Sequence, residues 1–251
     1  MTGHHDLPPV TADTARPGGP EEHPPARPEP PLLPPALRLW LGLTAALATL
    51  VVVALGALYA GHGEPGRVDR WVVLPTADSV GPPWRAPALA TDFLGEPVGA
   101  AVLVVAAVTG CLLLRRPRAA VFVVAGVALT VGAATLLKHL VGRTIHGEGN
   151  LSYPSGHTAF LTAIALMAAL VAIGRSGLGR TAGTALVLAA ALAAGAAMGW
   201  AEVALGAHYP TDAVGGWCTA LAVVPATAWL VDRLTDRRTG TRPDPRTPQA
   251  R

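Results

Sequence analysis

The sequence predicts an all-α protein: a six-helix transmembrane bundle with a disordered, proline-rich N-terminal tail. Three observations carry that prediction. Half of the 251 residues are hydrophobic and only 14% are charged. The apolar residues gather in six long runs, at 39–60, 98–114, 119–137, 159–173, 181–205 and 213–231, and a bilayer core takes about twenty apolar residues per helix. Arginines punctuate the breaks between runs in a pattern that gathers alternate breaks on one side.

Residues 1–35, densest at PPARPEPPLLPP, cannot bury a core and read as a disordered or extended tail. The first run follows Arg38. It reads as an uncleaved anchor, because a long tail precedes it and no small-residue cleavage pattern stands near Tyr59-Ala60. Residues 62–96 form the longest connection between runs. They hold Asp69-Arg70-Trp71-Val72-Val73 and then Trp84, Phe93 and Leu94 among prolines. That pattern predicts one or two short amphipathic pieces at the interface, where tryptophan favours the headgroup level.

Arg115, Arg116 and Arg118 form a tight loop between the second and third runs. Arg175 and Arg180 bracket the loop between the fourth and fifth, and Arg233, Arg237 and Arg238 follow the sixth. With Arg38, all these clusters share one side of a chain that crosses six times, and the positive-inside rule makes that side cytoplasmic. The expected arrangement is a multi-pass protein of the plasma membrane with both termini cytoplasmic. Residues 36–232 form its membrane domain and 233–251 a polar cytoplasmic tail. Cys111 and Cys218 lie inside apolar runs and read as packing residues rather than a disulfide or metal site. The basic balance describes orientation in lipid, and no aromatic-interleaved basic patch points to a nucleic-acid partner.

Two polar stretches then fall on the outer side: residues 138–157 and His208-Tyr-Pro-Thr-Asp212. Lys138 is the only lysine in a chain whose other basic side chains are all arginine. It and Arg143 are cations on the face that the positive-inside bias disfavours. A compact ammonium and a guanidinium fork are not interchangeable at a phosphate, so Lys138 is a candidate phosphate ligand. Pro154-Ser155-Gly156-His157 opens the fourth apolar run, where a helix start offers backbone N–H groups and a positive dipole end to an anion. Asp212 follows His208 by four residues, a spacing that lets a carboxylate hold the imidazole and leave its other nitrogen free as a nucleophile. Two histidines, one backed by a carboxylate, beside an anion cradle and a lysine suit phosphoryl transfer through a phosphohistidine. His157, His208 and Asp212 also have the chemistry to bind zinc or non-haem iron. The neighbouring lysine and N–H cradle favour an anion over that metal site.

At these residues the chain resembles the type 2 phosphatidic acid phosphatase superfamily, whose pattern is K-x6-R-P, then P-S-G-H, then S-R-x5-H-x3-D. Lys138 fills the first position, residues 154–157 match the second motif, and His208 and Asp212 match the end of the third. The resemblance covers roughly residues 36–232. It implies that His208 attacks phosphorus, Asp212 orients it, and His157 protonates the leaving oxygen. Lys138, Ser155 and Gly156 would hold the phosphate oxygens of a lipid substrate, with no cofactor and no metal.

The chain departs from the pattern twice. Ile145-His146 stands in place of Arg-Pro, and Ala201-Glu202 in place of Ser-Arg. A charge-assisted hydrogen bond contributes about 1.5–3 kcal/mol. A carboxylate some 5 Å from a phosphate adds roughly 3 kcal/mol of repulsion at an effective dielectric of 20. Three compensations are open: Arg143 swings into the vacant clamp, His146 donates to the phosphate when protonated, or Glu202 pairs with Arg143 or is itself protonated. The expected activity is hydrolysis of a lipid phosphate such as a polyprenyl (di)phosphate, phosphatidate or phosphatidylglycerol phosphate. The alternatives are a head-group phosphotransferase resembling sphingomyelin synthases and a non-catalytic lipid-binding membrane protein. Transport is disfavoured, because polar groups gather at helix ends rather than at the bilayer midplane.

Overall fold

The computed structural model describes residues 29–79, 81–176 and 178–240; of the tail expected at 1–35, residues 1–28 lie outside the described residues. Among the described residues the fold is helical throughout. A 3-10 turn at Pro35–Leu37 leads into α1 (Arg38–Leu58), followed by α2 (Arg67–Ser79), α3 (Arg85–Phe93) and α4 (Pro97–Leu113). Then come α5 (Pro117–Val141), α6 (Gly156–Ser176), α7 (Arg180–Ala204) and α8 (Pro210–Gly240). Proline begins α4, α5 and α8, where its missing N–H costs no hydrogen bond.

Five helices are long and apolar enough to cross a bilayer: α1 with its leading turn, α5, α6, α7 and α8. The α3–α4 pair, bent by 59°, supplies a sixth if it is counted as one span. The connection at 62–96 contains two short helices, α2 and α3, with Trp71, Trp84 and Phe93 exposed.

α6 and α8 are the innermost spans. α8 packs on α1, α5, α6 and α7, and α6 packs on α5, α7 and α8. Leu166, Met167 and Leu170 of α6 meet Phe122 and Val123 of α5 and Leu221 and Val224 of α8 in one apolar core. Leu39, Leu43, Leu47 and Leu50 of α1 are exposed, a face that water would penalise and lipid satisfies.

The two ends of the bundle differ chemically. At one end Arg118 pairs with Asp232 (3.4 Å) and Asp236 (2.8 Å), and Arg116 donates to the Val171 carbonyl (3.2 Å). The chain preceding α1 is docked there as well. Leu32 and Leu33 are buried, and each donates its amide to Asp232 at 3.0 Å. Order therefore begins ahead of the expected boundary at residue 36, because PPLLPP offers two leucines to the core and two amides to a buried carboxylate. At its other limit α8 continues past residue 232 to Gly240. Both cysteines are free and buried within their helices.

Candidate active site

The opposite end gathers the polar stretches. Ser155 precedes α6, and its hydroxyl accepts the Thr158 amide (3.1 Å), an N-terminal cap that fixes where the helix starts. The Ser155 amide donates to the Asp212 carbonyl (2.9 Å) and so ties the start of α6 to the start of α8. α8 comes this close because residues 215 and 216 are glycines. A Cβ at Gly216 would run into the Ser155 carbonyl, and one at Gly215 into the Tyr153 ring. Tyr153 is fully buried and donates its hydroxyl to the Val52 carbonyl of α1 (2.7 Å). Burial pushes that phenol above its ordinary range, so it stays a donor.

Glu202 of α7 occupies the centre of the site. It is fully buried, with Oε1 3.1 Å from His157 Nδ1 and Oε2 3.2 Å from His208 Nε2. The Ser155 hydroxyl donates to Oε2 at 2.8 Å. Both imidazoles of the phosphatase pattern and its serine thus converge on one carboxylate, at the position where the pattern places an arginine.

The second polar cluster lies behind His208. Arg143 is fully buried and donates to Asp69 Oδ2 (2.7 Å), Asp212 Oδ1 (2.7 Å) and Thr211 Oγ1 (2.6 Å). Its guanidinium is sandwiched by the rings of Tyr59 (4.1 Å) and Tyr209 (4.6 Å). Asp69 also accepts the Thr211 amide (3.0 Å), the Thr211 hydroxyl (2.8 Å) and the Gly66 amide (3.0 Å). Asp212 Oδ2 takes the Tyr209 amide at 3.1 Å and stands 3.7 Å from His208 Nδ1. That separation places the carboxylate beside the ring but exceeds hydrogen-bonding distance.

The structure therefore brings Ser155, His157, Glu202, His208 and Asp212 together and treats the expected cations differently. Arg143 does not swing toward the clamp position, and it does not pair with Glu202; two aspartates and a threonine hold it. Lys138, in the last turn of α5, spends its ammonium on the carbonyls of Leu151 (2.7 Å) and Ser152 (3.4 Å). His146 joins its Nε2 to the Gly206 carbonyl (2.7 Å), bracing one loop against another instead of reaching a phosphate. Ile145 is buried, with its amide on the Asn150 carbonyl (3.0 Å). At Gly156 a Cβ would meet nothing within 4 Å, so packing does not demand this glycine and the start of α6 is open on that side.

The α3–α4 corner supplies residues the sequence reading left without a role. A Cβ at Gly95 would collide with the His157 ring, so this turn packs directly on the imidazole. It brings Glu96 Oε1 to 3.8 Å from His157 Nε2. Asp92, His157 and Glu202 each place one ligand-type atom within 4.8 Å of the others. Asp92 and Glu96 flank Gly95 just ahead of an apolar run, and Asp69 stands in the first turn of an amphipathic stretch. Those were the available signals.

Fold and site together define a multi-pass membrane protein whose phosphatase-type motifs meet at one end of the bundle. Residues 119–236 match the family model of the PAP2 superfamily. Its fold is similar to the crystal structure of the first transmembrane PAP2 type phosphatidylglycerolphosphate phosphatase from Bacillus subtilis. The TM-score is 0.60 at 18% identity, over 79% of this chain and 99% of that one. Comparison with curated proteins finds no match.

Proposed function

We propose that this protein hydrolyses a lipid phosphate at the outer face of the plasma membrane, through a phosphohistidine on His208. The convergence of His157, His208 and Ser155 on a single point at one end of the bundle carries this reading. His208 Nε2 attacks phosphorus as the bond to the lipid oxygen breaks, and His157 gives that oxygen its proton. Water then attacks the phosphohistidine, returning a proton to His157 and releasing phosphate. Asp212, fixed by Arg143, stands beside His208 Nδ1 and favours the imidazolium that develops there. The open start of α6 at Gly156 offers its amides to the transferred oxygens, and Ser155 and Lys138 would join them by leaving Glu202 and the Leu151 carbonyl.

The substrate class is a polyprenyl (di)phosphate, phosphatidate or phosphatidylglycerol phosphate, with its tail in the bilayer. A mostly apolar cavity of about 390 Å³ between α2, α7 and α8, lined by Trp200, Pro210 and Trp217 among others, can take an apolar chain. The arginine clusters at the far end of the bundle support cytoplasmic termini and an extracytoplasmic site.

The test is phosphate release from a panel of these lipids by the purified protein, beside His208→Ala. Release abolished by that substitution is the expected outcome. Head-group exchange that requires an added acceptor would point to a phosphotransferase instead. Absence of both, with lipid still bound, would overturn catalysis altogether.

A further inference from the structure

We infer that Glu202 is a positioning residue for the acid: it holds His157 by Nδ1 with Nε2 free for the leaving oxygen, and so suits the site to lipid monophosphates over diphosphates. The inference rests on the lipid phosphatase reading and deepens it.

His157 stands in the first turn of α6 and Glu202 in the last turn of α7, and the packing of these two helices brings them together. Glu202 Oε1 lies 3.1 Å from His157 Nδ1, within hydrogen-bonding distance for an N–H donor. The other ring nitrogen, Nε2, has Glu96 Oε1 at 3.8 Å, beyond that distance. One nitrogen is therefore held and the other is open to substrate. Asp212 stands beside Nδ1 of His208 (3.7 Å), so each imidazole has a carboxylate on its Nδ1 side.

Charge decides the form of the pair. Glu202 is fully buried, and a buried carboxylate is costly without a positive partner. Arg143 is bound by Asp69 and Asp212, and Lys138 by the carbonyls of Leu151 and Ser152. The imidazolium of His157 supplies the charge instead. An arginine at position 202, as the motif pattern has it, would repel that imidazolium, whereas a carboxylate favours it. As an ion pair, Glu202 and His157 present no net charge to the phosphate, which removes much of the repulsion expected from a carboxylate at a clamp position.

At rest Oε2 accepts the Ser155 hydroxyl (2.8 Å) and lies 3.2 Å from His208 Nε2. The phosphoryl group of the substrate takes that place while Oε1 keeps His157. With the His208 proton on Nδ1, beside Asp212, the bond from Nε2 to phosphorus forms as the phosphorus–oxygen bond breaks. The proton on His157 Nε2 passes to the leaving oxygen. Water then returns a proton to His157 Nε2 as its oxygen bonds phosphorus and the bond to His208 breaks. An alkoxide leaving a monophosphate needs that proton, and a general acid contributes about 10²–10⁴-fold to such a step. A diphosphate instead expels a phosphate, which is stable as an anion. It also brings more negative charge to a site where Asp92, Glu96 and Glu202 stand around His157.

The experiment is steady-state phosphate release by purified full-length protein in detergent, from a prenyl monophosphate and from the diphosphate of the same prenol. Wild type should turn over the monophosphate faster. Glu202→Gln should lower kcat on the monophosphate by about 100-fold or more without raising KM, and on the diphosphate by less than about tenfold. Glu202→Asp, which keeps the charge, should recover part of the monophosphate rate. Equal losses on both substrates would mean that Glu202 only shapes the site; the inference would fall and the phosphatase reading would stand. A wild type that prefers the diphosphate overturns the inference as well. ¹⁵N NMR of histidine-labelled wild type, with His157 assigned through His157→Gln, should show protons on both of its ring nitrogens near neutral pH. A bare nitrogen there overturns the pair, and this readout does not depend on any Glu202 variant folding. If both nitrogens are protonated but the wild type hydrolyses neither substrate, the phosphatase reading fails and takes the assigned role with it, while the pair stands.

Discussion

Asp69 shows how a single residue far from the motifs governs the site. Its two oxygens accept from Arg143, from the amide and hydroxyl of Thr211 and from the Gly66 amide. Asp69→Ala would strand these buried donors and leave Arg143 with one carboxylate. The expected cost is about 3–5 kcal/mol of stability, the range for breaking a buried ion pair by removing one partner. A large fall in melting temperature in detergent would show it, with phosphate release falling because Arg143, which braces Asp212, loses one of its two carboxylate anchors. The sequence made Arg143 visible as a cation on the disfavoured side but could not reveal its partner, which is 74 positions away on α2. The same limit hid Asp92. Residue type and spacing expose His208 and Asp212 because they share one turn; residues that meet only through tertiary packing carry no such mark. Glu202 was legible as a reversed charge, and its role as the bridge between both imidazoles was not.

At the level of elements, the site is assembled by close approaches that glycine permits. Gly95→Ala would push a methyl group into the His157 ring. Displacing an imidazole by an ångström can cost on the order of 100-fold in rate. Phosphate release should therefore drop strongly while the melting temperature, set mainly by the apolar core, changes little; equal losses of both would contradict this. Tyr153 gives a second test, because its hydroxyl joins the loop before α6 to α1. Tyr153→Phe should cost about 1 kcal/mol near neutral pH. Burial raises the folded-state value of this phenol above the ordinary 10.0. Its contribution is therefore complete below pH 10 and lost as pH rises through the raised value. The stability gap between wild type and variant should narrow above pH 10, as read by melting curves. The six apolar runs were plain in the sequence, since a span needs little beyond length and hydropathy. The bend between α3 and α4 was not, because it is set by the turn around Gly95 packing on His157.

For the whole molecule, the arginine-rich end and the histidine-bearing end lie apart, and that separation makes the proposed orientation testable. Cysteine at Glu148, in the loop before α6, should react with a membrane-impermeant maleimide on intact cells, whereas cysteine at Arg115 should react only after the membrane is opened. Cys111 and Cys218 are buried and give little background. The reverse labelling pattern would turn the site toward the cytoplasm and remove the proposed outer-leaflet substrate. The docking of Leu32 and Leu33 on Asp232 also sets a natural stopping point for shortening the chain at its start. A protein beginning at Glu29 keeps that latch and should insert and melt like the full chain. One beginning at Arg38 leaves Asp232 to Arg118 alone and opens a greasy notch, so it should be prone to proteolysis and clumping. The few residues ahead of the first span thus act as a seam that holds α1 to the last helix.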